Sequence, residues 1–115
     1  MPPSLTPNET HPFANAEEAW FWYLACHEAK LEGARVVAGR GAIARPCDPQ
    51  DIYLAAARLL DGGHLRPHHL RVMIRYGRAM LPPDPDRPHH QLDLLHWREA
   101  MSRLGGALKA RGIMM

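Results

Sequence analysis

Four segments of the chain repeat their apolar positions at helical spacing, and none alternates as a strand would. In the first segment Asn15 is a good N-cap, and Glu18 lies three residues later as in a capping box. Its apolar side comprises Ala16, Trp20, Tyr23, Leu24, His27, Leu31, Ala34 and Ala38. We predict one helix that ends at Gly39. The alternative ends it at Gly33 and makes residues 34–45 a short basic hairpin.

Proline marks the start of three further helices, because its missing N–H costs nothing in the first turn. The predicted starts are Pro49, Pro67 and Pro88, and the matching ends are Leu60, Met80 and Gly112. The second helix is apolar on most sides, which predicts deep burial. In the fourth, apolar residues recur at spacings of three and four, and they predict a narrow packing seam: Leu94, Trp97, Met101, Leu104 and Leu108.

This pattern predicts an all-α protein, a compact bundle of about four helices. Residues 1–12 contain four prolines and no periodicity, so we expect a flexible tail, followed by a single helical domain over residues 13–115. With 46% apolar residues the chain can fill one core. It has no 18-residue apolar run, no secretory signal and only two cysteines, so we expect neither a membrane partner nor a secreted disulfide scaffold.

The formal net charge of +2 says little, but its distribution along the chain is uneven. Residues 1–32 carry five acidic residues against one lysine, whereas residues 33–80 carry eight arginines against three aspartates. A basic middle third indicates an anionic partner. It is equally consistent with an acidic first helix that packs beside the basic segment and neutralises it.

The third helix carries a basic stripe on one face, at spacings of three, four and three residues: His68, Arg71, Arg75 and Arg78. Its other side is predicted to face the core through Leu70, Met73, Ile74, Gly77 and Met80. With the helix before it, the segment forms a helix-turn-helix-like pair, although the turn is longer than usual. We therefore predict a DNA-binding or transcription-associated protein, with backbone phosphates contacted by Arg66, Arg40 and Arg45. The alternative is a plain solvated or partner-binding face.

Four consecutive aromatic residues, Trp20 to Tyr23, cover most of a turn and cannot all point to one core. Tryptophan is enriched at protein interfaces. The second functional hypothesis is therefore a non-catalytic interaction module or homo-oligomer. Its predicted interface residues are Trp20, Trp22 and Trp97.

Eight histidines raise the question of a metal site. On the fourth helix His89, Asp93 and His96 are spaced to face one ion, and they are the weak candidates for ligands. The chain has no CxxC and no HExxH motif, so we expect neither a metal nor another cofactor.

Nucleophilic catalysis needs an activating base beside the nucleophile. Cys26 and His27 are consecutive on a helix, where their side chains diverge by about 100°. Asp48 beside Cys47 disfavours a thiolate. We therefore expect a protein that is not an enzyme.

Five segments carry a resemblance to other proteins: AEEAWFW, ARPCDPQDI, HLRVMIRYGR, PPDPDRP and LHWREAMSRLGGALKARGI. They resemble a family of small uncharacterised helical proteins of alphaproteobacteria, and the resemblance extends over about residues 14–113. Since that family has no established function, the resemblance implies no site residues. It does imply a bacterial, reducing cytoplasm, which agrees with two cysteines that look unpaired.

Overall fold

The computed structural model describes residues 10–31 and 44–115, which form four α-helices. Their bounds are Ala16–Leu31 (α1), Pro49–Asp61 (α2), Pro67–Ala79 (α3) and Gln91–Ala110 (α4), with a 3₁₀ turn at Pro88–His90. The predicted all-α bundle of about four helices is thus confirmed. Both alternatives for residues 32–43, the longer first helix and the hairpin, lie outside the described residues, and so does Arg40. None of the described helices is both long and apolar enough to cross a bilayer.

The predicted caps explain where the helices begin. Asn15 Oδ1 accepts the N–H of Glu18 at 2.8 Å, and the Glu18 carboxylate accepts the N–H of Ala14 at 2.9 Å. At α2 the carboxylate of Asp51 accepts the N–H of Asp48 at 2.9 Å. These side chains satisfy amides that a helix start leaves without partners inside the helix.

The core is centred on α4, which packs against the other three helices. All five seam residues of α4 are buried as predicted. Trp97 is the largest of them: its ring stacks on Phe21 at 5.7 Å and meets Tyr76 edge-on at 6.2 Å. Its indole N–H donates to Glu17 Oε2 at 2.6 Å. One side chain therefore joins α1, α3 and α4.

Helix α2 is buried on one side only, contrary to the prediction of deep burial. Ile52, Ala55 and Ala56 face the core, whereas Tyr53 is 49% exposed. The other side chains of α2 are not covered by another described helix, because among the described helices only α1 and α4 pack substantially against it. Helices α2 and α3 therefore share the core of the bundle through α1 and α4 rather than through each other.

Helix α1 buries Ala16, Trp20 and Leu24 as predicted, but the end of its predicted apolar side is open to solvent. His27 is exposed and Leu31 is 69% exposed. The N–H of the Trp20 indole donates to the backbone oxygen of Met73 at 2.7 Å, which fixes α1 against α3.

The two ends of the domain are held together by backbone hydrogen bonds. The Phe13 N–H donates to the Ile113 carbonyl at 3.0 Å, and the Met115 N–H donates to the Phe13 carbonyl at 2.9 Å. Of the predicted tail, residues 1–9 lie outside the described residues. The N–H of His11 donates to the Ala44 carbonyl at 2.8 Å.

Candidate anion-binding face and histidine cluster

The three arginines of the predicted stripe all lie on the outer side of α3. Arg71, Arg75 and Arg78 are exposed, the side chains of the last two by 70% and 66%. The opposite side of α3 packs on α1 and α4 through His69, Val72, Met73, Tyr76 and Gly77. We call the three outward arginines the basic face.

The predicted inner side of α3 was partly wrong, because the helix is rotated relative to that prediction. Met73 and Gly77 are buried, but Ile74 is 41% exposed and Met80 is 40% exposed. The Tyr76 hydroxyl donates to Asp93 on α4 at 2.6 Å, and this contact directs its side of α3 inward.

Two members of the basic face already have weak carboxylate partners. The Arg78 Nε–H donates to Glu28 Oε1 at 3.1 Å, and an Arg75 terminal nitrogen lies 3.8 Å from Asp93 Oδ2. Among the described residues Arg71 has no carboxylate within 4.0 Å. Exposed ion pairs contribute about 0–1 kcal/mol each, so a phosphate can replace these partners at little cost.

The predicted phosphate contacts divide into two environments. Arg66 is exposed at the N-cap of α3. Arg45 points inward instead: its guanidinium lies 4.3 Å above the ring of Phe13 and donates to the His11 carbonyl at 3.1 Å. With its side chain 13% exposed, Arg45 holds the N-terminal segment in place and does not belong to the basic face.

The predicted aromatic interface was wrong for two of its three residues. Trp20 is 3% exposed and Trp97 is 1% exposed, so both belong to the core rather than to a partner surface. Trp22 is half-buried against Phe13, with the ring centroids 5.2 Å apart. All four consecutive aromatic side chains pack against the core, because α1 is enclosed on several sides by α2, α3, α4 and the N-terminal segment.

The structure brings together a different set of histidines from the predicted metal candidates. His89, Asp93 and His96 do not form a ligand group, and Asp93 is engaged by Tyr76. Within the described residues, the one group of three possible ligands at close range is His68, His69 and Glu99, whose ligand atoms lie within 4.8 Å of one another. The ring of His96 lies 4.4 Å from that of His68. We call these four residues the histidine cluster.

His69 is the buried member of the cluster, and its two ring nitrogens have opposite roles. Nδ1 lies 3.0 Å from the backbone nitrogen of Arg66 and accepts its N–H. The ring proton is therefore on Nε2, which donates to Glu99 Oε1 at 3.0 Å. This arrangement satisfies a side chain that is only 2% exposed.

The cluster also changes the pKa values of two of its members, Glu99 and His68. The hydrogen bond from His69 lowers the pKa of Glu99, which keeps that carboxyl ionised. Burial lowers the pKa of His68, and the neighbouring His69 and His96 lower it further. An ionised carboxylate thus stands in the same cluster as His68, whose imidazole favours the neutral form.

Little in the amino-acid sequence indicates this cluster. The pairs His68-His69 and His89-His90 both follow a proline at a helix start, where exposed polar residues are common. One signal was available. His69 lies three residues after the N-cap Arg66, and a side chain at that position can accept a hydrogen bond from the N-cap N–H. The contact with Glu99 depends on how α3 and α4 pack.

A groove of about 510 Å³ lies between the start of α1 and one side of α4. Met101 and Met114 give it apolar surface, and Arg98 and Lys109 lie beside them. Glu17 adds a negative charge in the same groove. These charges of both signs make it a poorer anion site than the basic face.

The two cysteines are free thiols in environments that suppress their ionisation. Burial, reinforced by the carboxylates of Asp51 and Asp48, raises the pKa of the Cys47 thiol to about 11. Burial also raises the pKa of Cys26. Because the thiolate is the reactive form, neither side chain has the environment of an activated nucleophile.

In a Cys26→Ser background, we expect Cys47 to react with iodoacetamide at pH 8 about 100-fold more slowly in the native protein than in urea. The factor follows from the rise of the Cys47 pKa from 9.0 to about 11, since well below both values the thiolate fraction falls tenfold per pKa unit. A native rate within threefold of the rate in urea would contradict the environment described for Cys47.

Comparison with known proteins adds no further constraint. No protein family, curated protein or solved structure matches the chain. The resemblance to alphaproteobacterial proteins therefore stays a prediction.

Proposed function

We propose that this chain is a non-catalytic polyanion-binding protein that binds duplex DNA through the basic face of α3. The observation that carries the proposal is the exposure of Arg71, Arg75 and Arg78 on one side of a single helix. A guanidinium remains charged at all physiological pH values and can bind a phosphate through two hydrogen bonds.

The spacing of the basic face supports a nucleic-acid partner. Seven residues separate Arg71 from Arg78, which is about 10 Å along the helix axis. Phosphates of one DNA strand recur about every 3.4 Å along the duplex axis, so more than one phosphate lies within the length of this face. An α-helix also fits the width of the major groove.

The carboxylates beside the basic face set its expected affinity. Glu28 and Asp93 compete with phosphates for Arg78 and Arg75, while Arg71 is available without displacement of a described partner. Binding should therefore be modest and sensitive to salt. On the same reasoning, the Glu28→Gln variant should bind DNA more tightly than the wild type.

The test is fluorescence anisotropy of a labelled duplex at about 50 mM salt. We expect the Arg71/Arg75/Arg78→Ala variant to lose affinity by roughly tenfold or more. Each phosphate contact releases counterions from the DNA, and the loss of a contact removes that favourable contribution to binding. The matched control replaces three other exposed basic residues, which removes the same charge: Arg98, Lys109 and Arg111. The control should bind within about threefold of the wild type.

Two results would overturn the proposal. One is the absence of DNA binding by the wild type at low salt. The other is an equal loss of affinity in both triple variants, since that would assign binding to net charge rather than to α3.

A further inference from the structure

The histidine cluster lies where the first turn of α3 meets the first half of α4. One of its members, His68, belongs to the predicted basic stripe, but the proposed DNA contact uses Arg71, Arg75 and Arg78 and none of the cluster. His68, His96 and Glu99 are partly exposed, whereas His69 lies beneath them at 2% exposure. The Glu99 side chain is 40% exposed, so an ion can approach from solvent.

The chemistry of the exposed members suits a transition-metal ion. Imidazole nitrogen and carboxylate oxygen are ordinary ligands of Zn²⁺. The ligand atoms of His68 and Glu99 lie within 4.8 Å of each other, as an ion between them requires. The ring of His96 lies 4.4 Å from that of His68, close enough for a ring nitrogen of His96 to reach the same ion after a side-chain rotation. His96 and Glu99 are three residues apart on α4, so they share a face.

His69 is unsuited to be a ligand, although it lies close to the others. Its Nδ1 accepts the Arg66 N–H, so Nε2 carries the proton and has no lone pair for a metal. A metal on Nε2 would leave two N–H groups facing each other at the start of α3. The hydrogen bond from His69 to Glu99 Oε1 instead leaves Oε2 available and orients the carboxylate.

We propose that His68, His96 and Glu99 bind a divalent transition-metal ion, Zn²⁺ or a similar ion, with water completing the coordination. His69 is a positioning residue that holds Glu99 through its Nε2–H. The ion would join the first turn of α3 to α4, at a site independent of Arg71, Arg75 and Arg78.

The test uses the full chain without an affinity tag, treated with chelator and titrated with Zn²⁺ by calorimetry and with Co²⁺ by visible absorption. We expect one ion per chain and the d–d bands of a tetrahedral Co²⁺ centre. The Glu99→Gln and His96→Ala variants should each weaken Zn²⁺ binding by at least 100-fold. His89→Ala, which removes an exposed histidine outside the cluster, should bind as the wild type does.

The His69→Gln variant separates a positioning role from a ligand role. Loss of an outer hydrogen bond to a ligand typically costs 10–100-fold in metal affinity, and the Co²⁺ spectrum should keep its shape. Circular dichroism of each variant without metal verifies its fold, and Glu99→Gln changes only a partly exposed side chain. The proposal is overturned if the wild type binds no Zn²⁺ at micromolar concentrations, or if both His96→Ala and Glu99→Gln retain wild-type affinity.

Discussion

Replacing Trp97 with alanine is expected to lower the free energy of unfolding by about 3–5 kcal/mol, enough to unfold much of the population of a small domain. The indole is 1% exposed and contacts Phe21 of α1 and Tyr76 of α3. Its removal leaves a cavity at the centre of the bundle and deprives Glu17 of a hydrogen-bond donor. Urea denaturation followed by circular dichroism measures the change.

Two controls separate the ring of Trp97 from its N–H. The Trp97→Phe variant keeps an aromatic ring but removes the donor to Glu17, so a smaller loss of about 1–3 kcal/mol is expected. Trp22→Ala, at a half-buried tryptophan, should cost less than Trp97→Ala. If Trp97→Ala changed the free energy of unfolding by less than 1 kcal/mol, the central position of Trp97 would be wrong.

Gly77→Ala is the second substitution with a large expected effect. It should lower the free energy of unfolding, although helix propensity alone predicts a rise. A Cβ at Gly77 would meet Leu24 Cδ1 and lie 2.7 Å from the indole nitrogen of Trp20. The leucine tip can move, but the indole is held by its hydrogen bond to Met73. We expect a net destabilisation of about 1–3 kcal/mol, despite a gain of about 1 kcal/mol in propensity.

Gly106→Ala is the matched control for Gly77→Ala. Gly106 is exposed in α4, and a Cβ there meets nothing within 4 Å. The same substitution should therefore stabilise the protein by about 0.5–1 kcal/mol. Thermal or urea unfolding of both variants should give opposite shifts, and a stabilising Gly77→Ala would contradict the close packing of α1 on α3.

Local signals in the sequence were sufficient for the helices and for the seam of α4. Asn15 marked a helix start by capping a nearby backbone N–H, and Pro49 and Pro67 marked two others by lacking an N–H of their own. These effects are local, so a sequence displays them directly. The seam was readable because its spacing is regular and its residues are large. Deep burial of α2 was wrong because apolar side chains such as Tyr53 remain at the surface of many proteins.

Features that depend on packing between helices were not readable in the same way. The rotation of α3 is fixed by Tyr76 on Asp93 and by Trp20 on Met73, both contacts between residues distant in sequence. For the same reason Arg45 was assigned to an anion surface although it stacks on Phe13. The histidine cluster needs α3 and α4 side by side, so its members have no common spacing in the sequence.

The salt dependence of DNA binding tests the role of the basic face most directly. The slope of log K against log[salt] is about −0.9 for each phosphate neutralised, so three arginine contacts account for about −2.7. We therefore predict that the slope of the Arg71/Arg75/Arg78→Ala variant is less steep than that of the wild type by about 2–3. The Arg98/Lys109/Arg111→Ala control should keep the wild-type slope within about one. Parallel lines for the wild type and the α3 variant would contradict phosphate binding by this face.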